Sequence, residues 1–412
     1  MPYVSNGESW GIGDSRVHYD TRAGTLFKPI GGVLPAGILT VGAFSATAQA
    51  FTNLATHLWN SGVFNTQGQR WVGVDGTPAN GCRNEATPRT VEGSRYNHIT
   101  ELEFLYTGQD LDVAFIGSAS YEVRVYVEHN SRMYRAEAAP KAGTTTGLMH
   151  LPLNFAATYH GRIRVVLAGG LFVGVKCEQS DIVKKSPDRI FAICDGAEWS
   201  EGAGFKQASG TSYLVQSLTT YLFERTGFVW AQRAQPDTGW FRNGSATVAD
   251  DTASSTNQSR FFSQNRKDWV AADFADKPLF YLITGSRADG TNTGATGESD
   301  GPLATRAKAC FDWVRSRDRH CKIVTLSVAP FTGESAGTGH ALNFAELAAA
   351  AAATSRAESV DATTWWNAAQ QVPLIGADGI NPNDLGFNFW ASRIATELAQ
   401  MTVNVLRARR LK

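Results

Sequence analysis

The chain has 412 residues, with 38 Lys and Arg against 38 Asp and Glu, 43% hydrophobic and 18% charged residues. That length holds two or three domains, each with its own core, and excludes a single small module. Zero net charge excludes the global basic field that gathers nucleic-acid backbones, and five widely spaced cysteines with no CxxC pair signal neither a disulfide framework nor a zinc site.

Residues 1–50 are rich in Gly and small side chains and hold neither a helical nor a strand period for long, which predicts an arm, suited to anchoring on a partner subunit, or an edge element. Met1 to Asp20 is polar, so no secretory leader is expected. The first apolar stretch, Gly31 to Phe44, is broken by Pro35 and too short to cross a bilayer, so no membrane insertion is expected. Residues 51–180 predict a β-sandwich of jelly-roll type, suited to carbohydrate binding. Tyr121, Val123, Val125 and Val127 alternate with Glu122, Arg124, Tyr126 and Glu128, and Ile163, Val165 and Leu167 alternate with Arg162, Arg164 and Val166. Turn clusters at Thr107-Gly108-Gln109-Asp110 and Ala168-Gly169-Gly170 mark the spacing of short sandwich strands.

Ser180 to Asp188 reads as a polar linker, and residues 186–412 then alternate strands with helices. The predicted strands are Arg189–Ile193, Gly227–Ala231, Pro278–Thr284, Lys322–Val328 and Val372–Ile375. Leu214, Leu218 and Leu222 recur at helical spacing, as do Leu303, Ala307, Cys310, Phe311 and Val314, and further helices are predicted at Phe344–Ala353 and Phe389–Leu398. Five β runs separated by helices predict a parallel five-stranded sheet in an α/β/α three-layer domain, with function decided just beyond the strands' carboxyl ends.

Three such segments stand out: Cys194-Asp195-Gly196-Ala197-Glu198-Trp199-Ser200-Glu201-Gly202, Thr284-Gly285-Ser286-Arg287-Ala288-Asp289-Gly290, and Asp378-Gly379-Ile380-Asn381-Pro382-Asn383. Their order and position resemble the SGNH (GDSL-type) hydrolases over about 186–400, and the preceding sandwich resembles the two-domain carbohydrate-esterase members. The resemblance implies a Ser nucleophile in a Gly-Asp-Ser turn, Gly and Asn oxyanion donors, and a final Asp-x-x-His base, because a Ser hydroxyl needs a base to take its proton and the oxyanion needs donors held in place. Nearly every such position departs. The turn falls on Gly196-Ala197-Glu198 or on Cys194-Asp195-Gly196, neither with a serine. The Asn donor becomes Ala288 and the His becomes Asn381, which is no base. In the second segment, which should hold the Gly donor, Arg233 and Gln235 occupy the relevant stretch and only Thr238-Gly239-Trp240 keeps the family character. Asp378 survives with nothing to orient. Gly13-Asp14-Ser15 follows a polar run rather than a strand and reads as a turn, and Ser200 stands at the family's non-catalytic Thr position.

Asp195, Glu198, Asp289 and Asp378 are expected to converge at strand ends, either solvated or paired with Arg233, Arg242 or Arg287, or gathered as a hard-cation site, or repurposed as an acid/base pair. Trp199 and Trp240 are expected to line a pocket and stack on sugars, whereas Phe241, Trp365 and Trp366 fit the core better. Trp59, Trp71 and Tyr96 could form a glycan platform, though core packing suits them better. His57, His98, His160, His320 and His340 lack ligand spacing, and no metal or cofactor is expected. By analogy with two-domain proteins of bacteriophage genomes, the resemblance implies a catalytically degenerate virion surface protein, made in the host cytoplasm. It would be homo-oligomeric, with other virion subunits and a cell-surface polysaccharide as partners. The alternative is an active carbohydrate esterase or glycan hydrolase with an atypical site.

Overall fold

In the computed structural model, the described residues are 27–67, 71–73, 79, 81–84, 99–196, 203–207, 210–213, 217–234, 239–240, 242–243, 246–247, 264–285, 303–327, 338–365, 373–375 and 382–410. The period-two runs become strands: β1 Leu39–Val41, β2 Leu54–Leu58, β3 Trp71–Gly73, β4 Cys82–Asn84, β5 Ile99–His129, β6 Arg132–Arg135, β7 Lys141–Gly143, β8 Gly147–Glu178 and β9 Ile182–Lys185. Two of them, β5 and β8, run for 31 and 32 residues rather than as the short strands expected. The predicted turn at Gly108 is a shift of register inside β5, and the predicted turn at Gly169 is a bend inside β8. Gly169 sits at φ +72°, where a Cβ would collide with the Ser120 carbonyl oxygen, so glycine lets the strand bend without ending.

The bends make β5 and β8 serve two antiparallel ladders. In one, β5 residues 110–117 lie between the two ends of β8, with Val113 opposite both Leu151 and Val175; in the other, β8 residues 163–168 lie between the two ends of β5, with Val165 opposite both Leu102 and Val125. β1, β2, β4 and β3 extend the first ladder, while β6, β7 and β9 extend the second. Inward side chains from both, among them Phe104, Val113, Phe115, Val125, Leu151 and Val165, bury in one apolar cluster.

The second unit contains β10 Phe191–Asp195, a hairpin of β11 Ala203–Gln207 and β12 Gly210–Tyr213, α1 Leu218–Thr226, β13 Val229–Gln232, a hairpin of β14 Arg242–Asn243 and β15 Ala246–Thr247, and α2 Gln264–Ala271 with a 3₁₀ turn to Asp276. β16 Phe280–Ile283, α3 Leu303–Arg317, β17 Lys322–Leu326, α4 Thr338–Ala352, β18 Ala357–Val360 and α5 Asp384–Arg410 complete it. The sheet is parallel, in the order β13-β10-β16-β17-β18. Its fifth strand is Ala357–Val360 and not Val372–Ile375, from which Ile375 makes a single bridge to Pro382. As an edge strand, β18 tolerates Glu358 and Ser359, and that polarity hides it from an apolar pattern. In α3 the predicted stripe Leu303, Ala307, Cys310, Phe311 and Val314 is buried.

Two expectations about boundaries change. Residues 27–50 belong to the folded body: Phe27 and Ile30 are buried in the α/β core, and Leu34 in the β core. The polar linker is a lock. Its Ile182–Lys185 portion pairs with β5, the Ser186 hydroxyl donates to Glu103, and Asn65 donates to the Ser186 carbonyl and to Asp188. Across the seam, Arg135 holds Glu224 through two bonds of 2.9 and 2.7 Å, the Tyr126 hydroxyl donates to Glu224 at 2.8 Å, and Arg164 lies 4.1 Å over the Phe223 ring. The seam covers the second face of β5, where Arg124 and Tyr126 are buried.

Candidate functional site

A parallel sheet presents its ligand site where the strand order reverses, here around β10, whose neighbours β13 and β16 come next in the chain on opposite sides. β10 is buried along its length, so Asp195 arrives at the carboxyl edge 1% exposed, and a charge there needs a partner. α2 supplies it. The Arg266 guanidinium donates to Asp195 Oδ1 from Nε at 3.0 Å and again from Nη2, and its Nη2 also donates to the Gly196 carbonyl at 2.9 Å. The Tyr281 hydroxyl, from β16, donates to Asp195 Oδ2 at 2.7 Å, and the Gly196 N–H donates to Oδ1 at 2.8 Å. Burial, reinforced by the neighbouring Asp195 charge, holds the Tyr281 phenol well above its ordinary pKa, so it remains a donor.

The next strand end repeats the device with the signs exchanged. Arg233, fully buried just past β13, donates to both oxygens of Asp273 at 2.7 Å and lies 5.1 Å from the Trp269 ring. Asp273 and Trp269 come from the same α2 segment as Arg266, so one short element clasps two adjacent strand ends through reciprocal ion pairs. Farther along the edge, the Thr284 hydroxyl donates to the Asp195 carbonyl at 3.1 Å, and the Ser327 hydroxyl accepts from the Ala362 N–H at 2.7 Å and faces Asp361 at 3.3 Å. Among the described residues of this edge, Asp195 and Arg233 are each neutralised by an ion pair within the protein.

Of the expected site residues, Asp195 and Gly196 stand together at the switch point, and Gly239 and Trp240 are also described. Glu198, Trp199, Ala288, Asp289, Asp378 and Asn381 lie outside the described residues, as do Phe241, Trp366, Tyr96, His98 and Arg287. Asp195 is ion-paired with Arg266, and Arg233 with Asp273; Arg287 lies outside the described residues. Trp240 is corrected from pocket lining to core: it is 1% exposed, packs edge-on against Phe311 at 6.3 Å, and its carbonyl accepts from Arg306. An indole so covered has no face for a sugar. Trp365 is buried against Trp390 at 5.0 Å, and Trp59 and Trp71 meet edge-to-face at 6.4 Å on the rim of the β core. His57 is half-buried on β2, while His160 and His320 are exposed. Among the described residues no three His, Cys, Asp or Glu side chains gather as metal ligands.

Arg266, Asp273 and Tyr281 were not anticipated. Arg266 stands in the polar run Gln264–Asp268, which carries no apolar period, and Tyr281 read only as strand interior. The available signal was Asp195 itself, a carboxylate closing an apolar strand, which demands a buried cation from elsewhere.

No protein-family model matches the chain, and no curated protein does. Among solved structures it is similar to a family 2 carbohydrate esterase with its carbohydrate-binding domain from Corynascus thermopiles (Myceliophthora fergusii), at 14% identity and TM-score 0.50, covering 81% of this chain and 99% of that one. It is also similar to a carbohydrate esterase whose active site is described as having divergent catalytic and non-catalytic binding functions, at 13% identity and TM-score 0.50, covering 90% and 98%. A third is the salicylyl-acyltransferase SsfX3 from a tetracycline biosynthetic pathway, at 11% identity and TM-score 0.53, covering 86% and 98%. The likeness is one of fold alone.

Proposed function

We propose that this chain is a carbohydrate-binding protein built on an SGNH-type fold, in which ester hydrolysis has been given up and recognition kept. The observation that carries the reading is the paired carboxylate at the switch point. Asp195, at the end of the first strand, is spent on Arg266 and Tyr281 inside the protein, and the sequence around it offers neither a serine at the nucleophile position nor a histidine at the base position. An edge of this kind suits neutral sugar hydroxyls, and among its described residues none is placed as an activated nucleophile. The fold relative whose active site is described as having non-catalytic binding functions makes that division of labour reasonable here. We further propose a jelly-roll-like carbohydrate-binding character for the β unit, and a place on a virion surface as a homo-oligomer beside other virion subunits.

The test is hydrolysis of p-nitrophenyl acetate and of an acetylated polysaccharide by the purified protein, with an Asp378→Asn control, beside binding to a glycan array. Binding without turnover above the control is the expected result. Turnover lost in the control would replace this reading with the second one, an active carbohydrate esterase with an atypical nucleophile, which the fold likeness to esterases favours.

A further inference from the structure

In the ladder centred on β5 residues 110–117, core-facing residues alternate with an outer row. Met149, Leu151, Leu111, Val113, Val175 and Cys177 enter the core, leaving His150, Asp112 and Lys176 on the outer face. Residues 42–53 form a strap that joins β1 on one edge of the ladder to β2 on the other: 42–45 continue along β8 by backbone pairing, and the chain then crosses the outer face past Asp112. The strap is held along its length: the Gly42 N–H donates to the Pro152 carbonyl at 2.8 Å, Phe44 packs edge-on against Phe115 and Tyr121, and the Asn53 carbonyl accepts from the Gln179 N–H at 2.7 Å. Ser45 and His150 exchange backbone hydrogen bonds of 3.0 and 2.8 Å, the Gln49 N–H donates to Asp112 Oδ2 at 2.8 Å, and the Thr52 and Asn53 N–H groups donate to the Glu178 carboxylate at 2.6 and 2.8 Å.

Beneath it, the His150 and Asp112 side chains are 2% and 0% exposed. His150 Nδ1 stands 3.8 Å from Asp112 Oδ2, beyond hydrogen-bond reach. His150 Nδ1, Asp112 Oδ1 and Gln49 Nε2 are all buried without a hydrogen-bond partner. A neutral imidazole tolerates this position; a charged one would be desolvated, with no hydrogen bond at Nδ1 and with Asp112 at 3.8 Å as the anion that partly offsets the cost. The charges facing His150 are Asp112 on β5 and Lys176 on β8, with Glu178 farther along; residues 42–53 contribute no titratable side chain.

We propose that residues 42–53 form an acid-released strap, closed over a neutral His150 and opened when that imidazole takes up a proton. Burial, with Lys176 acting in the same direction, holds His150 at about 4 while the strap is closed, against 6.5 for an exposed histidine. A group whose pKa is depressed in the closed state costs that state stability as pH falls. The loss begins near pH 6.5, grows by about tenfold in the open-to-closed ratio per pH unit, and is complete near pH 4. Asp112 acts in the opposite sense. Burial raises its pKa, against the Gln49 N–H and Lys176, so its proton uptake favours closure at the acid end of the window. Release therefore belongs to the upper part, between pH 6.5 and 5.

The experiment is hydrogen exchange of the full chain at pH 7.5 and 5.0, corrected for intrinsic rates, with an NMR titration of the histidines. The amides of Ser45, Gln49, Thr52 and Asn53 should lose protection by about tenfold or more at the lower pH while the β5 and β8 core amides keep theirs, and His150→Gln should abolish the difference. Equal protection at both pH values, an unchanged loss in His150→Gln, or a His150 midpoint near 6.5 in the unmutated protein would each overturn the proposal.

Discussion

At the scale of single residues, the buried charges are the places where sequence and structure inform each other least symmetrically. That Asp195 ends a strand is legible, because the apolar run Phe191 to Cys194 stops there. That Arg266 meets it is not, since 71 residues separate the two and no local period connects them. The dependence is strong all the same. Arg266→Gln should cost about 3–5 kcal/mol in urea denaturation, because it strands a carboxylate in the interior, whereas Asp195→Asn with Arg266→Gln should recover a large part of that loss. A double variant no more stable than the single one would mean that the pair contributes through shape rather than charge. The cysteines give a second residue-level prediction. All five are buried and unpaired, and burial pushes their thiols up, Cys177 and Cys321 to about 12. The native protein should therefore leave a thiol reagent unreacted at pH 8 and release five equivalents once unfolded.

At the scale of elements, apolar periodicity located the buried strands and the α3 stripe because those segments face one environment along their whole length. It failed where an element faces two. β18 was missed because an edge strand carries charge, and β5 and β8 were cut into pieces because a bent strand carries the glycines that otherwise mark its end. Those glycines can be tested. Gly169→Ala imposes a side chain at positive φ against the Ser120 carbonyl, so it should destabilise by more than the ordinary gain from removing a glycine, with a lower urea midpoint than the parent. The start of α1 gives a smaller effect of known size. Ser217 precedes Leu218 with an extended backbone, and its hydroxyl accepts from the Thr220 N–H at 3.3 Å. Ser217→Ala should cost about 1 kcal/mol in the same assay.

At the scale of the whole molecule, the seam decides how the two units behave. Glu103 accepts from Arg162, Ser186 and Arg189, and Glu224 from Arg135 and Tyr126, so the ions that join the units lie at their common boundary. Calorimetry should show one transition, and Glu103→Gln with Glu224→Gln should separate it into two; two transitions in the unmutated protein would show the units to be independent. The exchange of β5 and β8 between ladders also has a kinetic side. Each supplies the middle of one layer and the flanks of the other, so neither layer can be completed while either strand is missing, and Ile99 must find Ala168 before much of the apolar surface is covered. Such distant pairings close large chain loops before anything repays the entropy, which places folding of the β unit in the slow regime of milliseconds to seconds or beyond. During that interval two long, half-paired strands stand open to neighbouring chains, and the yield of native protein on refolding should fall as its concentration rises.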